Sequence, residues 1–334
     1  MMIKKFAPIA IHTLNRHEHF IRCVESLSRC KYADQTELHI GLDYPSKESH
    51  WEGYNKILDY IPNINGFKNV ILHKRKTNFG AVNNSRQLKY DILKDNDFFF
   101  STEDDNEFSP NTLEYINFCF AKYKNDDSIF AICASHHEIE IPKTHSGTVF
   151  KLDSYSPLGV GYWKDKYLQY LNMDRYAYAK AFLKKYSNYL QFKKERLYLI
   201  ASLLESISTK EILGDGFLTT YLIKNNMKCI FPTIQKVRNH GHDGSGIHCA
   251  DIKEDNPYKN RIIDTNSDFE FIEEKDTEVL KEIKHNLIRS FRMPFFKRLF
   301  FKLRYHLYYV FNISFSSNFP RKFYNKYLTK FKVI

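Results

Sequence analysis

A run of three carboxylates, Glu103 to Asp105, follows directly on the aromatic residues Phe98 to Phe100. A short apolar run of this kind is typical of a buried strand in a parallel sheet, and the Ser109-Pro110 pair after it predicts the start of a helix. The acids therefore lie at the carboxyl end of a strand, where open α/β sheets bind their ligands. Because like charges this close repel one another, this acid triplet indicates a site for a hard divalent cation such as Mg²⁺ or Mn²⁺. The alternative is a solvated acidic turn that caps the following helix.

Apolar runs and helical patterns alternate through the first hundred residues. We predict strands at 7–11, 37–42, 70–73 and 97–101, with a helix between each pair of strands. This alternation predicts a doubly wound, mostly parallel α/β sheet flanked by helices. No G-x-G-x-x-G follows the first strand and no G-x-x-x-x-G-K-[ST] occurs in the chain. Because these motifs are the sequence signatures of Rossmann dinucleotide sites and of P-loops, both kinds of site are disfavoured.

Polar side chains follow all four predicted strands. Because the carboxyl ends of parallel strands meet at one edge of the sheet, we expect these side chains to converge. For each of them taken singly, a role as a cap or turn residue is the favoured explanation. They are Thr13, Asn15 and Arg16 after the first strand, Asp43 after the second, Asn78 and Arg86 near the third, and the acid triplet after the fourth.

The segment 8–16, Asp43, the Asn78-x-Gly80 pattern and the acid triplet, in this order, resemble the nucleotide-sugar glycosyltransferases of the GT-A fold. Within this group, its motifs most resemble those of N-acetylglucosaminyltransferase I and of bacterial family 2-like glycosyltransferases. The resemblance covers roughly residues 7–250. It implies a metal-dependent, inverting transferase of hexosyl or N-acetylhexosaminyl type that uses a nucleoside-diphosphate-sugar donor. A UDP-sugar is the favoured donor, although Tyr44-Pro45 after Asp43 departs from the Asp-Asp-Gly-Ser common in relatives and leaves the base open.

The resemblance also implies roles for individual residues. Arg16 and Asp43 would contact the nucleotide, Asp104 the ribose, Glu103 the donor sugar and Asp105 the Mn²⁺ or Mg²⁺ that bridges the diphosphate. These roles suit the chemistry, because guanidinium groups bind phosphate or carbonyl oxygens and carboxylates bind hydroxyls and hard cations. The remaining donor-binding candidates are Thr13, Asn15, Asn78 and Arg86.

Two segments of the second half resemble the acceptor side and the catalytic base of the family. Gly159, Gly161, Tyr162 and Trp163 form a glycine-punctuated aromatic turn, which the resemblance places beside the acceptor. An ordinary loop anchored in the core by the tryptophan is the alternative. Asp215 lies between two glycines before a helix, where it is either an N-cap or, by resemblance, the general base that deprotonates the acceptor hydroxyl. A base on that face of the sugar implies inversion.

The loop 237–248 contains three glycines and three histidines, a composition typical of a ligand-facing loop. By resemblance it closes over the donor diphosphate, with Ser245 near phosphate and with His240 or His242 near the metal or the leaving group. The alternative is a separate metal cluster of His240, His242, Asp243 and His248.

The basic charge of the chain is concentrated at its C-terminus. The 334 residues carry a net charge of +11, and residues 283–334 hold twelve Lys or Arg and no Asp or Glu, which leaves about −1 for the rest. We therefore divide the chain into a catalytic domain at 1–250, with a nucleotide-binding half at 1–110 and an acceptor half at 111–250, an acidic linker at 251–282 and a basic-aromatic tail at 283–334.

The tail contains an amphipathic helix pattern at 291–313. Phe296, Leu299, Phe300, Leu303, Leu307, Val310 and Phe311 share one helical face, with Lys297, Arg298, Lys302 and Arg304 on the other. This pattern, followed by the basic-aromatic stretch 321–332, favours a helix that lies on an anionic membrane surface. A helix packed on the catalytic domain is the alternative.

These features place the protein in the cytoplasm, peripheral at the inner face of the membrane. The six cysteines are scattered without C-x-x-C pairs, and the N-terminal apolar stretch is too short for a signal peptide. The activity expected there is synthesis of a cell-surface glycan on a glycan or lipid-linked acceptor. There are two rival hypotheses. The first is a sugar-nucleotide pyrophosphorylase, but this chain lacks the glycine-rich loop that such enzymes carry after the first strand. The second is a nucleic-acid-binding module, which the near-neutral charge of residues 1–282 disfavours.

Overall fold

The computed structural model describes residues 5–212, 214–246 and 258–316. These residues form an eight-stranded central sheet with helices packed on it and a separate two-stranded sheet. This is the mixed α/β architecture, with a mostly parallel sheet, that the alternating patterns predict. The strands are β1 (Ile9–Thr13), β2 (Glu37–Leu42), β3 (Asn69–Lys74), β4 (Phe98–Glu103), β5 (Asn106–Phe108), β6 (Ile129–Cys133), β7 (Val149–Leu152), β8 (Val160–Trp163), β9 (Lys228–Pro232) and β10 (Val237–Asn239).

The helices fill the connections between the strands and the C-terminal part of the described chain. The first three follow β1, β2 and β3, as the alternation predicts, and the helix predicted after Asp215 is present, whereas the three helices between residues 175 and 209 have no counterpart in the sequence prediction. They are α1 (His17–Ser28), α2 (Trp51–Tyr60), α3 (Ala81–Leu93), α4 (Thr112–Lys122), α5 (Lys164–Leu171), α6 (Arg175–Lys184), α7 (Tyr186–Phe192), α8 (Leu197–Thr209), α9 (Gly214–Lys224), α10 (Thr277–Ser290) and α11 (Phe295–Phe311).

The central sheet has the strand order β3-β2-β1-β4-β8-β6-β9-β7. The strands β3, β2, β1 and β4 are parallel to one another, β8 runs antiparallel to β4 and β6, and β7 forms an antiparallel edge. The chain builds outward from β1 to β3 and then returns to place β4 on the other side of β1. The point between β1 and β4 is therefore a topological switch point, where doubly wound sheets bind ligands.

The two faces of the sheet carry separate hydrophobic cores. Successive side chains of a strand point to opposite faces, so Phe99 of β4 joins one core and Phe100 joins the other. The Phe100 core packs α1, α2 and α4, and the Phe99 core packs α3 and the helices from α5 to α11. An aromatic run that is apolar at every position is thus explained by burial on both faces.

Residues 258–276, which the acidic composition predicts as part of a linker, pack on the domain. Asp264 is buried and accepts hydrogen bonds from Lys236 at 2.5 Å and from Asn111 at 3.0 Å. The ring of Phe271 stacks on Phe118, and Glu273 forms a bridge to Val149 at the edge of the sheet. Residues 251–257 of the predicted linker lie outside the described residues.

The predicted tail boundary at residue 283 falls inside α10. Val279, Ile283 and Leu287 of this helix are buried in the same core as α8 and α9. The change in charge at 283 therefore marks a change in surface composition and not the end of the folded domain. The basic-aromatic stretch 321–332 lies outside the described residues. No helix in the described part of the chain has the length and apolar character needed to cross a membrane.

Candidate active site at the carboxyl edge of the sheet

Three neighbouring strands end together beside the acid triplet. Thr13 of β1 is in register with Leu42 of β2, and His12 is in register with Glu103 of β4. The backbone amide of Asp43 donates to the Thr13 carbonyl at 3.0 Å, which joins the chain just after β2 to the end of β1. The predicted convergence of these strand ends is therefore present in the structure, at the switch point of the sheet.

Arg16 stands at the start of α1 and forks onto two of the three acids. Its Nη1 donates to Asp105 Oδ2 at 2.9 Å and its Nη2 donates to Asp104 Oδ1. The hydroxyl of Thr13 donates to the second oxygen of Asp104 at 2.7 Å. Both aspartates are buried, whereas Glu103 is exposed. The structure thus brings Thr13, Arg16, Asp104 and Asp105 into one hydrogen-bonded group and leaves the third carboxylate open.

The triplet carries more negative charge than Arg16 neutralises. Glu103 is open to solvent on one side, yet partial desolvation by the protein around it, and then the charges of Asp105 and Asp104, raise its pKa to about 7. Burial also raises the pKa of Asp104, against the opposing effect of Arg16. A cation bound here would relieve this repulsion.

Among the described residues, no three carboxylate, imidazole or thiol groups converge as a set of metal ligands. This does not conflict with a Mg²⁺ or Mn²⁺ site of the usual kind. Such ions are commonly held by one or two carboxylates, with phosphates of the substrate and water completing the coordination. The carboxylates of the acid triplet, beside the single guanidinium of Arg16, fit a site of this kind. Asp105 is the predicted metal ligand.

The strand β10 holds the loop that follows it against the acid triplet. It pairs antiparallel with β5, so Asn239 lies opposite Asn106, directly after the triplet. Asn239 Nδ2 donates to Asp105 Oδ1 at 2.8 Å, and the His240 amide donates to the Asp105 carbonyl at 2.8 Å. At Gly241 an added Cβ would lie 2.0 Å from Asp105 Oδ2. Only a glycine allows the backbone to approach the carboxylate this closely.

Gly241→Ala is expected to destabilise the protein, because the added methyl carbon has no room beside Asp105. Overpacking of this kind typically costs about 1–3 kcal/mol, which thermal unfolding detects as a melting temperature lowered by several degrees. Gly214→Ala is the matched control, since a Cβ built at Gly214 meets no atom within 4 Å. Equal melting temperatures for the two variants would contradict the close approach.

The two histidines predicted beside the metal have other partners. His240 Nε2 donates to Glu107 Oε2 at 2.7 Å, and Arg238 forms two hydrogen bonds to the same carboxylate. The hydrogen bonds from Arg238, and then those from His240, lower the pKa of Glu107 to about 2. The ring of His242 stacks on Tyr258 with 4.1 Å between centroids. In the described structure neither imidazole shares a ligand set with Asp105, and their predicted metal role stays a prediction.

Ser245 lies beside the first turn of α1. Its Oγ donates to Asp243 Oδ1 at 2.6 Å, and the second oxygen of Asp243 accepts from His19 Nε2 at 2.8 Å. This arrangement ties the loop to α1, the helix that also begins at Arg16. The contact of Ser245 with phosphate stays a prediction. His248, which the alternative metal cluster includes, lies outside the described residues.

Asp43 and Asn78 organise the two loops beside the triplet. Asp43 Oδ1 accepts from the backbone amides of Tyr44 at 2.9 Å and Phe79 at 2.8 Å, and Asn78 Nδ2 donates to the Tyr44 carbonyl at 2.6 Å. The side chain of Asp43 thus joins the loop after β2 to the loop after β3. The nearby ring of Tyr44 meets Trp51 edge to face at 5.5 Å. The nucleotide role of Asp43 and Asn78 stays a prediction that this geometry permits.

Asn15 and Arg86, the other two residues predicted near the donor, contact other parts of the fold. The carbonyl oxygen of Asn15 packs against α2, only 1.9 Å from where a Cβ at Gly53 would be. Arg86 of α3 acts electrostatically on the Tyr167 hydroxyl. Their donor-binding roles remain predictions.

Lys89 of α3 belongs to the site, although the sequence analysis did not single it out. Burial lowers the pKa of its ammonium to about 8, and Glu103 acts in the opposite direction. Burial, and then Lys89 and Arg16, lower the pKa of His12 to about 3. A helical signal for Lys89 existed, since it lies one turn from the buried residues Ser85 and Ile92. Asn239 and Glu107 carried no comparable signal, because their contacts arise from the pairing of β5 with β10.

Asp215 lies in the first turn of α9, on a part of the fold remote in sequence from the triplet. Asp215 is exposed by accessible surface, yet the protein around its carboxyl desolvates it enough to raise its pKa to about 6. It acts electrostatically on the hydroxyls of Tyr155 and Tyr170. Next to it, Gly216 packs so closely on α8 that a Cβ there would lie 2.1 Å from Ser202 Oγ. The α8–α9 contact therefore fixes the position of Asp215.

The predicted acceptor segment forms the end of a loop and the strand β8. Gly159, Gly161, Tyr162 and Trp163 are all buried. A Cβ at Gly161 would lie 2.8 Å from the Phe120 ring, and one at Gly159 would lie 2.9 Å from the Phe108 ring. Trp163 packs edge to face on Phe120. Close packing accounts for both glycines without a ligand, and the acceptor role of the segment stays a prediction.

Comparison with known proteins gives only distant matches. No protein-family model matches the chain, and no curated protein matches it. Among solved structures, Staphylococcus aureus TarS aligns at 15% identity and a TM-score of 0.34, over 50% of this chain and 29% of TarS. A TarS 1–349 structure aligns at 14% identity and a TM-score of 0.35, over 50% and 49%. The mannosyltransferase PcManGT from Pyrobaculum calidifontis, in complex with GDP-mannose and Mn²⁺, aligns at 10% identity and a TM-score of 0.34, over 49% and 46%.

The chain spans less than half the length of each of these structures. At this level of similarity the alignments carry no conclusion about the activity of the chain.

Proposed function

We propose that the protein is a metal-dependent, inverting glycosyltransferase of the GT-A fold. The observation that carries this proposal is the group formed by Thr13, Arg16, Asp104 and Asp105 at the switch point of the sheet, with Glu103 open beside it. Ligands of open α/β sheets bind at this edge, and a buried carboxylate group with excess negative charge suits a divalent cation and a diphosphate. The sequence resemblance to nucleotide-sugar glycosyltransferases assigns the same residues to the donor.

The residues of the chain divide the work of donor binding by their chemistry. When bound, Mn²⁺ or Mg²⁺ supplies positive charge to the diphosphate and to the departing nucleoside diphosphate, and Asp105 is the residue that would hold it. Arg16 holds Asp105 and Asp104 in place through one hydrogen bond to each carboxylate. Asp104 is proposed to accept from the ribose and Glu103 to orient the donor sugar, since carboxylates accept hydrogen bonds from hydroxyls.

Asp215 is proposed to take the proton of the acceptor hydroxyl. A general base works best when its pKa lies near the operating pH, and partial desolvation raises the pKa of Asp215 to about 6. The acceptor oxygen attacks the anomeric carbon opposite the nucleoside diphosphate, the bond to the diphosphate breaks, and the proton passes to Asp215. This course inverts the anomeric centre. The finer proposals are a UDP-sugar as donor and a cell-surface glycan or its lipid-linked precursor as acceptor.

A thermal-shift screen of nucleoside diphosphates and nucleotide sugars, with and without Mn²⁺, tests the proposed function. At one hundred times the Kd, a ligand stabilises the folded state by about 2.7 kcal/mol, which corresponds to a rise of several degrees in the melting temperature. We expect that rise for one nucleotide only when Mn²⁺ is present. No shift with any nucleotide would contradict the proposal, and release of pyrophosphate from a bound donor would identify a pyrophosphorylase instead.

A further inference from the structure

The helix α11 packs on the domain with one face only. Phe301, Arg304, Tyr305 and Tyr308 are buried on this face. The ring of Tyr305 stacks on Tyr189 of α7 with 4.0 Å between centroids, and Arg304 Nη1 donates to Glu205 of α8 at 2.8 Å. These contacts fix the orientation of the helix on the domain.

The opposite face of α11 is apolar and open to solvent. Successive residues of a helix are rotated by about 100°, which puts the exposed apolar side chains in one stripe on the far side from Arg304 and Tyr305. A surface helix normally turns its polar residues outward. Here the outward face is the apolar one, which marks an interaction surface. This apolar stripe consists of Phe295, Phe296, Leu299, Leu303 and Val310, each between 56% and 82% exposed.

A basic cavity lies at the corner between α10 and α11, near the start of the apolar stripe. It has a volume of about 400 Å³ and also touches the start of α8. Among its lining side chains are Lys194, Arg289, Arg292 and Arg298, with Glu195 as the acidic residue. In the part of the chain that the structure describes, none of these four cations pairs with a carboxylate. Four cations against one carboxylate leave an excess of positive charge in the cavity, which favours a bound anion such as a phosphate group.

We propose that the α10–α11 corner docks the protein on an anionic phospholipid bilayer. The apolar stripe enters the interface between headgroups and acyl chains, and the basic cavity takes the phosphate groups of the lipids. Apolar side chains beside Lys and Arg suit this surface, because each part finds its complement there. The sequence beyond the described residues continues the pattern, since 317–334 holds five Lys or Arg and no acid. A second copy of the chain is disfavoured as occupant, since two such faces would oppose their own positive charges.

Sedimentation of the full-length protein with lipid vesicles tests the apolar stripe. The wild type is expected to bind vesicles of phosphatidylcholine with about 30 mol% phosphatidylglycerol and to bind pure phosphatidylcholine weakly. The variant Phe296→Ser, Leu299→Ser, Leu303→Ser is expected to lose at least about tenfold in partition coefficient, because apolar burial drives insertion. The control variant Leu190→Ser, Ile234→Ser, Ile262→Ser removes three exposed apolar side chains elsewhere and should bind as the wild type does.

A second triple variant tests the basic cavity. Arg289→Gln, Arg292→Gln, Arg298→Gln is expected to lower binding to the anionic vesicles on the order of 100-fold, at about 1 kcal/mol for each charge. The control Arg29→Gln, Lys76→Gln, Lys143→Gln removes the same net charge from exposed positions away from the corner. Because all these positions are solvent-exposed or partly exposed, far-ultraviolet circular dichroism and the melting temperature should remain those of the wild type.

Three results would overturn the proposal. The first is a wild type that does not bind anionic vesicles. The second is equal binding by the corner variants and their controls. The third is a wild type that dimerises in sedimentation velocity and becomes monomeric in the apolar-stripe variant, which would assign the face to a second copy. Vesicle binding is measured without donor or acceptor, so it succeeds or fails independently of the proposed transferase activity.

Discussion

Asp215→Asn is expected to lower the rate of sugar transfer by about 10²- to 10⁴-fold and to leave donor affinity unchanged. The amide has nearly the same shape as the carboxyl group but does not accept the proton of the acceptor hydroxyl. The close α8–α9 packing at Gly216 positions the backbone of Asp215, and partial desolvation raises the pKa of its carboxyl. Initial rates of transfer and donor titration by calorimetry measure the two quantities separately.

Glu211→Gln is the matched control for that variant, because Glu211 is an exposed acid four residues before Asp215. We expect wild-type rates for it. Turnover at the wild-type rate in Asp215→Asn would remove Asp215 as the base. Loss of donor affinity together with loss of rate would instead indicate that Asp215 contributes to the donor site.

The dependence of the rate on pH follows from the same carboxyl group. Asp215 acts in its deprotonated form, and partial desolvation raises its pKa to about 6, so kcat is expected to rise with pH through about 6. The groups that face it, the hydroxyls of Tyr155 and Tyr170, have pKa values raised by burial and stay neutral over this range. The rise should be absent from the residual activity of Asp215→Asn. A wild-type rate independent of pH between about 5 and 7 would contradict the assignment.

Asp105→Asn is expected to weaken metal-dependent binding of the nucleoside diphosphate on the order of 100-fold. The substitution removes one negative charge from the group that faces the metal and the diphosphate; the asparagine oxygen still accepts from Asn239, while its amide nitrogen no longer accepts from Arg16. Arg16 keeps its hydrogen bond to Asp104, so the fold should persist. Titration calorimetry with Mn²⁺ and the nucleotide identified in the thermal-shift screen measures the loss, and circular dichroism checks the fold.

Asp127→Asn serves as the control for that experiment, because it removes one exposed carboxylate outside the site. Its nucleotide affinity should equal that of the wild type. If Asp105→Asn binds the nucleoside diphosphate with Mn²⁺ as tightly as the wild type does, Asp105 is not the metal ligand. Binding of nucleotide by the wild type at equal strength with and without Mn²⁺ would also contradict the metal assignment.

Local sequence patterns were sufficient to predict the four parallel strands from β1 to β4. The predicted strand at 37–42 coincides with β2, and the predicted strands at 70–73 and 97–101 differ from β3 and β4 by one or two residues at their ends. The first strand begins two residues later than predicted and includes His12 and Thr13. Its pairing with β2 and β4 on both sides extends the strand past the apolar run. Neighbouring strands decide a strand end when the local pattern alone is ambiguous.

Contacts between distant segments decided the rest of the site. Asn239 and Glu107 meet their partners because β10 pairs with β5 across more than a hundred residues of chain, and no periodicity in either segment encodes that pairing. The histidines of the loop were predicted from composition, and their actual partners, Glu107 and Tyr258, come from the same tertiary arrangement.

The helix α11 shows most clearly which features the sequence pattern predicts and which ones only tertiary packing decides. Helical periodicity correctly indicated that α11 has an apolar face with Phe296, Leu299, Leu303 and Val310, but it did not show which face packs on the domain. The structure buries the side with Arg304 and Tyr305, because aromatic stacking and the pairing with Glu205 are available there.

The sequence by itself determined the alternating α/β order and the set of polar residues at the strand ends, because both depend on short-range periodicity and on strand direction. The tertiary structure alone decided that Arg16 and Thr13 hold Asp104 and Asp105 and that the apolar stripe of α11 faces solvent. These arrangements depend on which surfaces pack together, and packing joins residues that no local pattern relates.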